Sequence, residues 1–361
     1  MRKLIAVAMS LILVLIATNA VSAIGITVKP VTTQKVNTDY GFSYSEFTDE
    51  NYRTVRSYKK QDSLKSFDVS QISTLSTQSA ATTDETKAIL NSLGMSEDFI
   101  DELSGEDLQD YANSEEITSI VSYTKTDVDG NTVNISEDEA FSVTGVTLPP
   151  HVLDDDVVGS TTNPTTIVED SYMRLVFIVA YKGDGVYKYS ADAEWLTTPT
   201  WRSRDCFGIA VQNSSIYMST ASAWFSYNCI EVNYYNGTRT NTSKQISFSN
   251  SNNDFEAPSA DAWGGTAITF YLPSNVVTDY NSFTYCDFKV HLEFESEVSY
   301  PTIASTFNAT ASYDHSLVTV LPSANVDITG SDVQTHWGFS AALSSDTRIA
   351  YFDEPFHYVP D

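Results

Sequence analysis

The segment Lys289-Val290-His291-Leu292-Glu293-Phe294-Glu295-Ser296-Glu297-Val298 carries ionisable side chains at alternate positions. A strand sends successive side chains to opposite faces. His291, Glu293, Glu295 and Glu297 therefore share one face, and Val290, Leu292, Phe294 and Val298 line the other. Same-face neighbours two residues apart sit about 6.5–7 Å from each other. That separation suits a pair of carboxylates working on a glycosidic bond, or a calcium site. The competing expectation is the solvated face of an antiparallel strand whose other face is core. Three glutamates in a row on one face would also discourage edge-to-edge pairing.

The second set of candidates is aromatic. Trp195, Trp201, Trp224, Trp263 and Trp337 stand beside 21 tyrosines. Flat rings can hold a sugar, but they also fill cores. Trp195, Trp224 and Trp337 fall in strand-like runs, which points to packing. Trp201 (Thr197-Thr-Pro-Thr-Trp201) and Trp263 (Ala262-Trp263-Gly264-Gly265) lie in loop-like surroundings. They are the candidate ligand-binding residues, because loops carried by a rigid scaffold are where binding residues concentrate.

Catalytic signatures are missing. The chain has no G-x-S-x-G, H-E-x-x-H or P-loop, and its five histidines show no i, i+4 pair. Asp314-His315-Ser316 sets the three residue types of a serine triad side by side, but strand neighbours diverge, so the triplet reads as a turn. Asp127, Asp129 and Asn131 fit the first ligand positions of an EF-hand loop. Thr132 stands where that loop needs Gly, and Asp138 where it needs Glu, so a plain hairpin turn is expected. No catalytic residue, metal or cofactor is assigned. Cys206, Cys229 and Cys286 leave one thiol over in any pairing, and no C-x-x-C spacing suggests zinc.

These residues need elements to hold them, and the chain's start says where it works. Arg2 and Lys3 precede the apolar run Leu4 to Ala17, and Val21-Ser22-Ala23 supplies a small-residue cleavage site. Residues 1–23 read as a secretory signal peptide. An apolar run of about 14 residues is short for a membrane span. The expected location is extracellular, with no stable membrane insertion after cleavage. The balance of 47 Asp+Glu against 20 Lys+Arg, net −27, argues against nucleic acid and anionic lipid as partners. Nineteen of those charges fall between Asp84 and Asp170.

That asymmetry divides the chain. Residues 24–83 read as a flexible Ser/Thr-rich arm. Residues 84–121 read as a small acidic helical unit. Ile89, Leu90 and Leu93 share a face, Gly94 is a stop, and Ser96 and Ser104 are N-caps. The Leu93-Gly94-Met95 loop between short helices resembles that of ubiquitin-associated-type three-helix domains, from which no binding residue is carried over. Residues 122–170 read as a hairpin and acidic linker. Residues 171–361 read as an antiparallel β-sandwich, jelly-roll-like, with Tyr172–Tyr181 as a strand covered on both faces. The whole layout resembles exported proteins of Gram-positive bacteria, a likeness that brings no activity with it.

The expected protein is mainly β, secreted and non-enzymatic. Its sandwich would bind an extracellular glycan or protein. The alternatives are a glycosidase-like hydrolase using carboxylates of the β domain, and a precursor whose N-terminal region is a propeptide.

Overall fold

The structure, a computed structural model, describes residues 34–37, 42–60, 83–127, 131–144, 170–199, 202, 204–212, 214–256, 263–299, 305–316, 325–327, 336–338, 345–351 and 356–358. Residues 1–23, expected to be a signal peptide, and the acidic stretch Asp154–Asp156 lie outside them.

The elements follow in chain order. The first are β1 (Gln34–Asn37), β2 (Phe42–Thr48), β3 (Thr54–Lys60), α1 (Thr83–Ser92), α2 (Glu97–Glu102) and α3 (Gly105–Asn113). Then come β4 (Glu116–Thr126), β5 (Thr132–Ile135), α4 (Glu137–Thr144), β6 (Ser171–Gly183) and β7 (Val186–Trp195). β8 (Arg204–Gln212), β9 (Ser214–Asn233), β10 (Arg239–Ser249), β11 (Trp263–Tyr271), β12 (Val276–Val277) and β13 (Asn281–Val298) complete the central part. The last are β14 (Ser305–Phe307), β15 (Ala309–Ser316), β16 (Asn325–Asp327), β17 (His336–Gly338), β18 (Ser345–Tyr351) and β19 (Phe356–Tyr358).

An 11-stranded antiparallel sheet runs β1-β2-β3-β4-β6-β7-β13-β9-β10, with β5 on β4 and β12 on β13. A second sheet, β11-β8-β15-β18, faces it. Between the two lies one core. It contains Met173, Leu175, Phe177 and Val179 of β6, Val290, Leu292 and Phe294 of β13, and Phe207, Ile209 and Ile268 of the smaller sheet. This is the β-sandwich that the strand pattern predicts.

The large sheet has a second covered face. Val176, Ile178 and Ala180 of β6, with Ile117, Val121 and Tyr123 of β4, pack against Ile89, Leu90, Leu93, Phe99, Ile100 and Leu108 of the helices. β6 is thus buried on both sides, which explains its unbroken apolar run. The helices stop and start where the sequence suggests. Gly94 takes φ +103, and a Cβ there would come 2.4 Å from Val121 Cγ2, so the corner after α1 is also a close approach to β4. Ser119 Oγ donates to the Leu93 carbonyl at 2.7 Å and satisfies that helix end. Ser104 and Asp107 form a reciprocal capping box on α3.

Three boundaries differ from the sequence reading. Phe42–Lys60, expected in a flexible arm, is the β2–β3 hairpin, and β3 pairs with β4. Arg56 of that hairpin lies 3.0 Å from Glu46 and 3.5 Å from Glu137, so its charge is partnered within the fold. β4 begins at Glu116, inside the segment expected to be helical, and α4 occupies part of the expected linker. The boundary at residue 170 does not separate two bodies of structure. β4 and β6 pair from Glu116↔Tyr181 to Thr126↔Ser171. The strand misses have the same cause: pairing with a distant strand selects conformations that local periodicity does not reveal.

Candidate functional site

β7 and β13 are neighbours in register, with Lys289↔Glu194, His291↔Asp192, Glu293↔Ser190 and Glu295↔Lys188. Their apolar side chains enter the sandwich core, so these polar ones point to the helical side. α2 and α3 lie over them. Lys188 is 4% exposed. Its Nζ sits 2.5 Å from Asp107 Oδ1 of α3 and 3.2 Å from Glu293 Oε2. The Tyr111 ring centre is 5.4 Å away. Lys182 bridges Glu295 at 2.6 Å and Asp110 at 2.9 Å. Lys289 pairs with Asp98 of α2, and with Glu194 at 3.5 Å. The acids of the helical unit are therefore docked on the lysines of the sheet.

His291 completes the seam. Its Nδ1 is 2.6 Å from Asp192 Oδ1, and its Nε2 is 3.6 Å from Glu293 Oε2. Trp224 stacks on His291 at 5.7 Å and on Phe99 at 5.1 Å. Burial opposes a charge on His291, but Asp192 and Glu293 outweigh it and push its pKa up to about 10. Burial likewise raises Asp192. Asp107 moves the other way. Burial opposes its charge, yet hydrogen bonds from Lys188 and Ser104 hold its carboxyl down at about 2.

The expectation of a solvated polar face on β13 is corrected. His291 and Glu293 are buried, and Glu295 is ion-paired with Lys182. Only Glu297 lies outside the seam, where it accepts from the exposed Tyr217 hydroxyl at 2.7 Å. Strand alternation separates core from not-core. It cannot distinguish water from a docked element of opposite charge.

Of the two tryptophans singled out, Trp201 lies outside the described residues, and Trp263 is the first residue of β11. Trp195 is core. It is 4% exposed and donates its indole N–H to the Tyr313 hydroxyl at 2.9 Å. Among the exposed aromatics of the described residues, three tyrosines gather at one end of the large sheet. Tyr234 and Tyr235 sit in the β9–β10 turn, and Tyr280 in the β12–β13 turn. The Tyr235 and Tyr280 rings stack at 5.2 Å and 19°. Tyr235 is 77% exposed, and Val277, the last residue of β12, is 72% exposed. The Tyr234 N–H donates to the Tyr280 carbonyl at 2.8 Å and ties the two turns together. Asn233 Oδ1 accepts from the backbone of Tyr235 at 2.9 Å and fixes the turn. A Tyr-Tyr pair directly before Asn236-Gly237 was the sequence signal for this tip: apolar rings at a hairpin turn have no core to enter.

The remaining candidates resolve into structure. Asp314-His315-Ser316 is strand, part of β15, not a turn. His315 Nδ1 lies 3.0 Å from Asp205 Oδ1 inside the sandwich, and Tyr313 donates to the same carboxylate. Asp127 accepts from the Asn131 backbone at 2.9 Å, as a hairpin turn requires. All three cysteines are free. Cys229 lies opposite Tyr285 across β9 and β13, so Cys286, one residue on, points to the other face.

Comparison with models of protein families gave no match, and a search of the curated proteins gave none either. The site is therefore interpreted from its own geometry.

Proposed function

We propose that this is a secreted, non-enzymatic protein that binds an extracellular ligand through its β-sandwich, with the tyrosine tip as the contact surface. The observation that carries the reading is the Tyr235–Tyr280 stack. Two rings stand exposed on turns tied together by the Tyr234–Tyr280 backbone hydrogen bond, with Asn233 fixing the first turn. A rigid aromatic platform loses little entropy on binding and offers an apolar face to a sugar ring. Glycans of a cell surface are the favoured ligand, with Trp201 and Trp263 as further candidate contacts.

The hydrolase alternative is less well supported, because Glu293 and Glu295 are engaged by Lys188 and Lys182 beneath α3. The propeptide alternative is disfavoured by the shared sheet, in which β1 to β4 extend the strands that follow.

The test is a glycan-array screen together with a pull-down on cell-surface material. The wild-type protein, Tyr235→Ala, Tyr280→Ala, Trp201→Ala and Trp263→Ala are compared. Binding by the wild type should weaken roughly tenfold, about 1.4 kcal/mol, in either tyrosine variant. Thermal stability should stay nearly unchanged, as at exposed sites generally. Blank results in both screens would overturn the reading.

A further inference from the structure

β10 ends the large sheet. It pairs with β9 from Arg239↔Val232 to Ser249↔Ser222 without a bulge. Among the described residues no strand lies on its other side, and residues 239–247 are all exposed. The Asn233 N–H donates to the Thr238 carbonyl at 2.9 Å, which fixes the phase of the ladder. Hydrogen-bonded pairs alternate along an antiparallel ladder. Thr240, Thr242, Lys244, Ile246 and Phe248 therefore turn their backbone groups to β9. Arg239, Asn241, Ser243, Gln245 and Ser247 turn theirs outward, five N–H and five C=O groups in one row. Ser249, next in that row, is already engaged by Asp254, whose side chain accepts its N–H at 2.9 Å and whose own N–H reaches its carbonyl at 3.4 Å.

Exposed edges are commonly blunted by Pro or a bulge, and β10 has neither. We infer that β10 pairs with β10 of a second copy of this chain, antiparallel across a two-fold axis, so that two large sheets become one. Such an axis makes each contact reciprocal, residue i on j and j on i. Centred on Ser243, it sets Arg239 opposite Ser247, Asn241 opposite Gln245, and Ser243 opposite its own counterpart. All five outward residues then pair, which closes ten hydrogen bonds. Moving the axis to Thr242 or Lys244 leaves only four of them paired. The Lys244 choice also sets two ammonium groups face to face, which is destabilising.

Charge selects this edge. Two chains of net −27 repel each other, but β10 carries Arg239 and Lys244 and no acid. In the Ser243-centred register Lys244 faces Thr242 of the second copy. Arg239 comes to the end of the second copy's strand, where Asp254 is held on the Ser249 N–H. Opposite charges thus meet at both ends of the pair. Ile246, 46% exposed in one chain, lies beside Thr240 of the other. The tyrosine tip stands at the Arg239 end of β10. The two-fold axis therefore sends the two tips to opposite ends and leaves both exposed, an arrangement suited to two-point binding. The pairing stands whether or not the tips bind a glycan.

Analytical ultracentrifugation of the full chain tests it. The wild type should sediment with twice the mass of one chain at micromolar concentration. Ser243→Pro removes an N–H that points away from β9, a position where an edge strand accepts proline. It should keep the wild-type circular dichroism and melting temperature, while dimer dissociation rises roughly hundredfold with the loss of the two central hydrogen bonds. Cysteine variants read the register. Counterparts in a hydrogen-bonded pair have Cα atoms about 5.5 Å apart, within reach of a disulfide. Ser243→Cys should therefore cross-link two chains under mild oxidation. Gln245→Cys, which faces Asn241, should not, and neither should the wild type with its three native thiols. A monomeric wild type, or a dimer that Ser243→Pro leaves intact, overturns the pairing. Cross-linking by Gln245→Cys in place of Ser243→Cys overturns the register.

Discussion

His291 sits at the centre of the seam with a carboxylate on each ring nitrogen. Lys188, Asp192 and Glu293 are the charged groups around it, and Phe99 and Trp224 close it off from water. Its pKa in the fold, about 10, lies above the ordinary histidine value of 6.5. A raised pKa means the folded state holds the proton more tightly than the unfolded chain does. The resulting stability is complete below about pH 6.5 and is lost as pH climbs toward 10. Urea unfolding measured from pH 6 to 10 should therefore show a falling midpoint for the wild type. His291→Gln should start lower and stay nearly flat over that window. A parallel decline in both proteins would show that another group controls the slope.

At the scale of elements, the helical unit is held by shape as well as by charge. Phe99 is 1% exposed and stacks on Trp224, joining α2 to β9. Phe99→Ala should cost about 3–5 kcal/mol in chemical denaturation, the usual range for a deleted core ring. The loss should coincide with a change in Trp224 fluorescence. Gly94→Ala places a methyl against Val121 at a backbone angle that side chains avoid. It should cost roughly 1–3 kcal/mol by the same assay. Much of this unit was legible in the sequence, because caps, stops and an apolar helix face are local features. Ser104 before Glu106-Asp107, Gly94 after Leu93, and the Ile89–Leu90–Leu93 face are all where the periodicity puts them. What the unit covers was not legible, since its acids look the same whether they face water or Lys182, Lys188 and Lys289.

For the whole molecule, the consequence is that the N-terminal half belongs to the sandwich. β4 pairs along β6, and the helices cover Val176, Ile178 and Ala180. A fragment beginning at Ser171 exposes that row of apolar side chains and a long unpaired edge on β6. Expressed alone, residues 171–361 should aggregate or bind a hydrophobic dye, whereas residues 24–361 should elute as a soluble species. A soluble, cooperatively unfolding fragment would contradict this.

The sequence by itself determined the strand pattern of the sandwich, the double burial of β6, the short helices and the division of β13 into an apolar and a polar face. These follow from periodicities of 2 and 3.6, which are properties of neighbouring residues. Tertiary structure decided the rest. It turned Phe42–Lys60 of the expected flexible arm into the β2–β3 hairpin, brought His291 and Glu293 under a helix, and stacked Tyr235 of one turn on Tyr280 of another. Each of these depends on which distant segment arrives opposite a residue. That is set by the summed packing and charge of the whole fold, and no local window contains it.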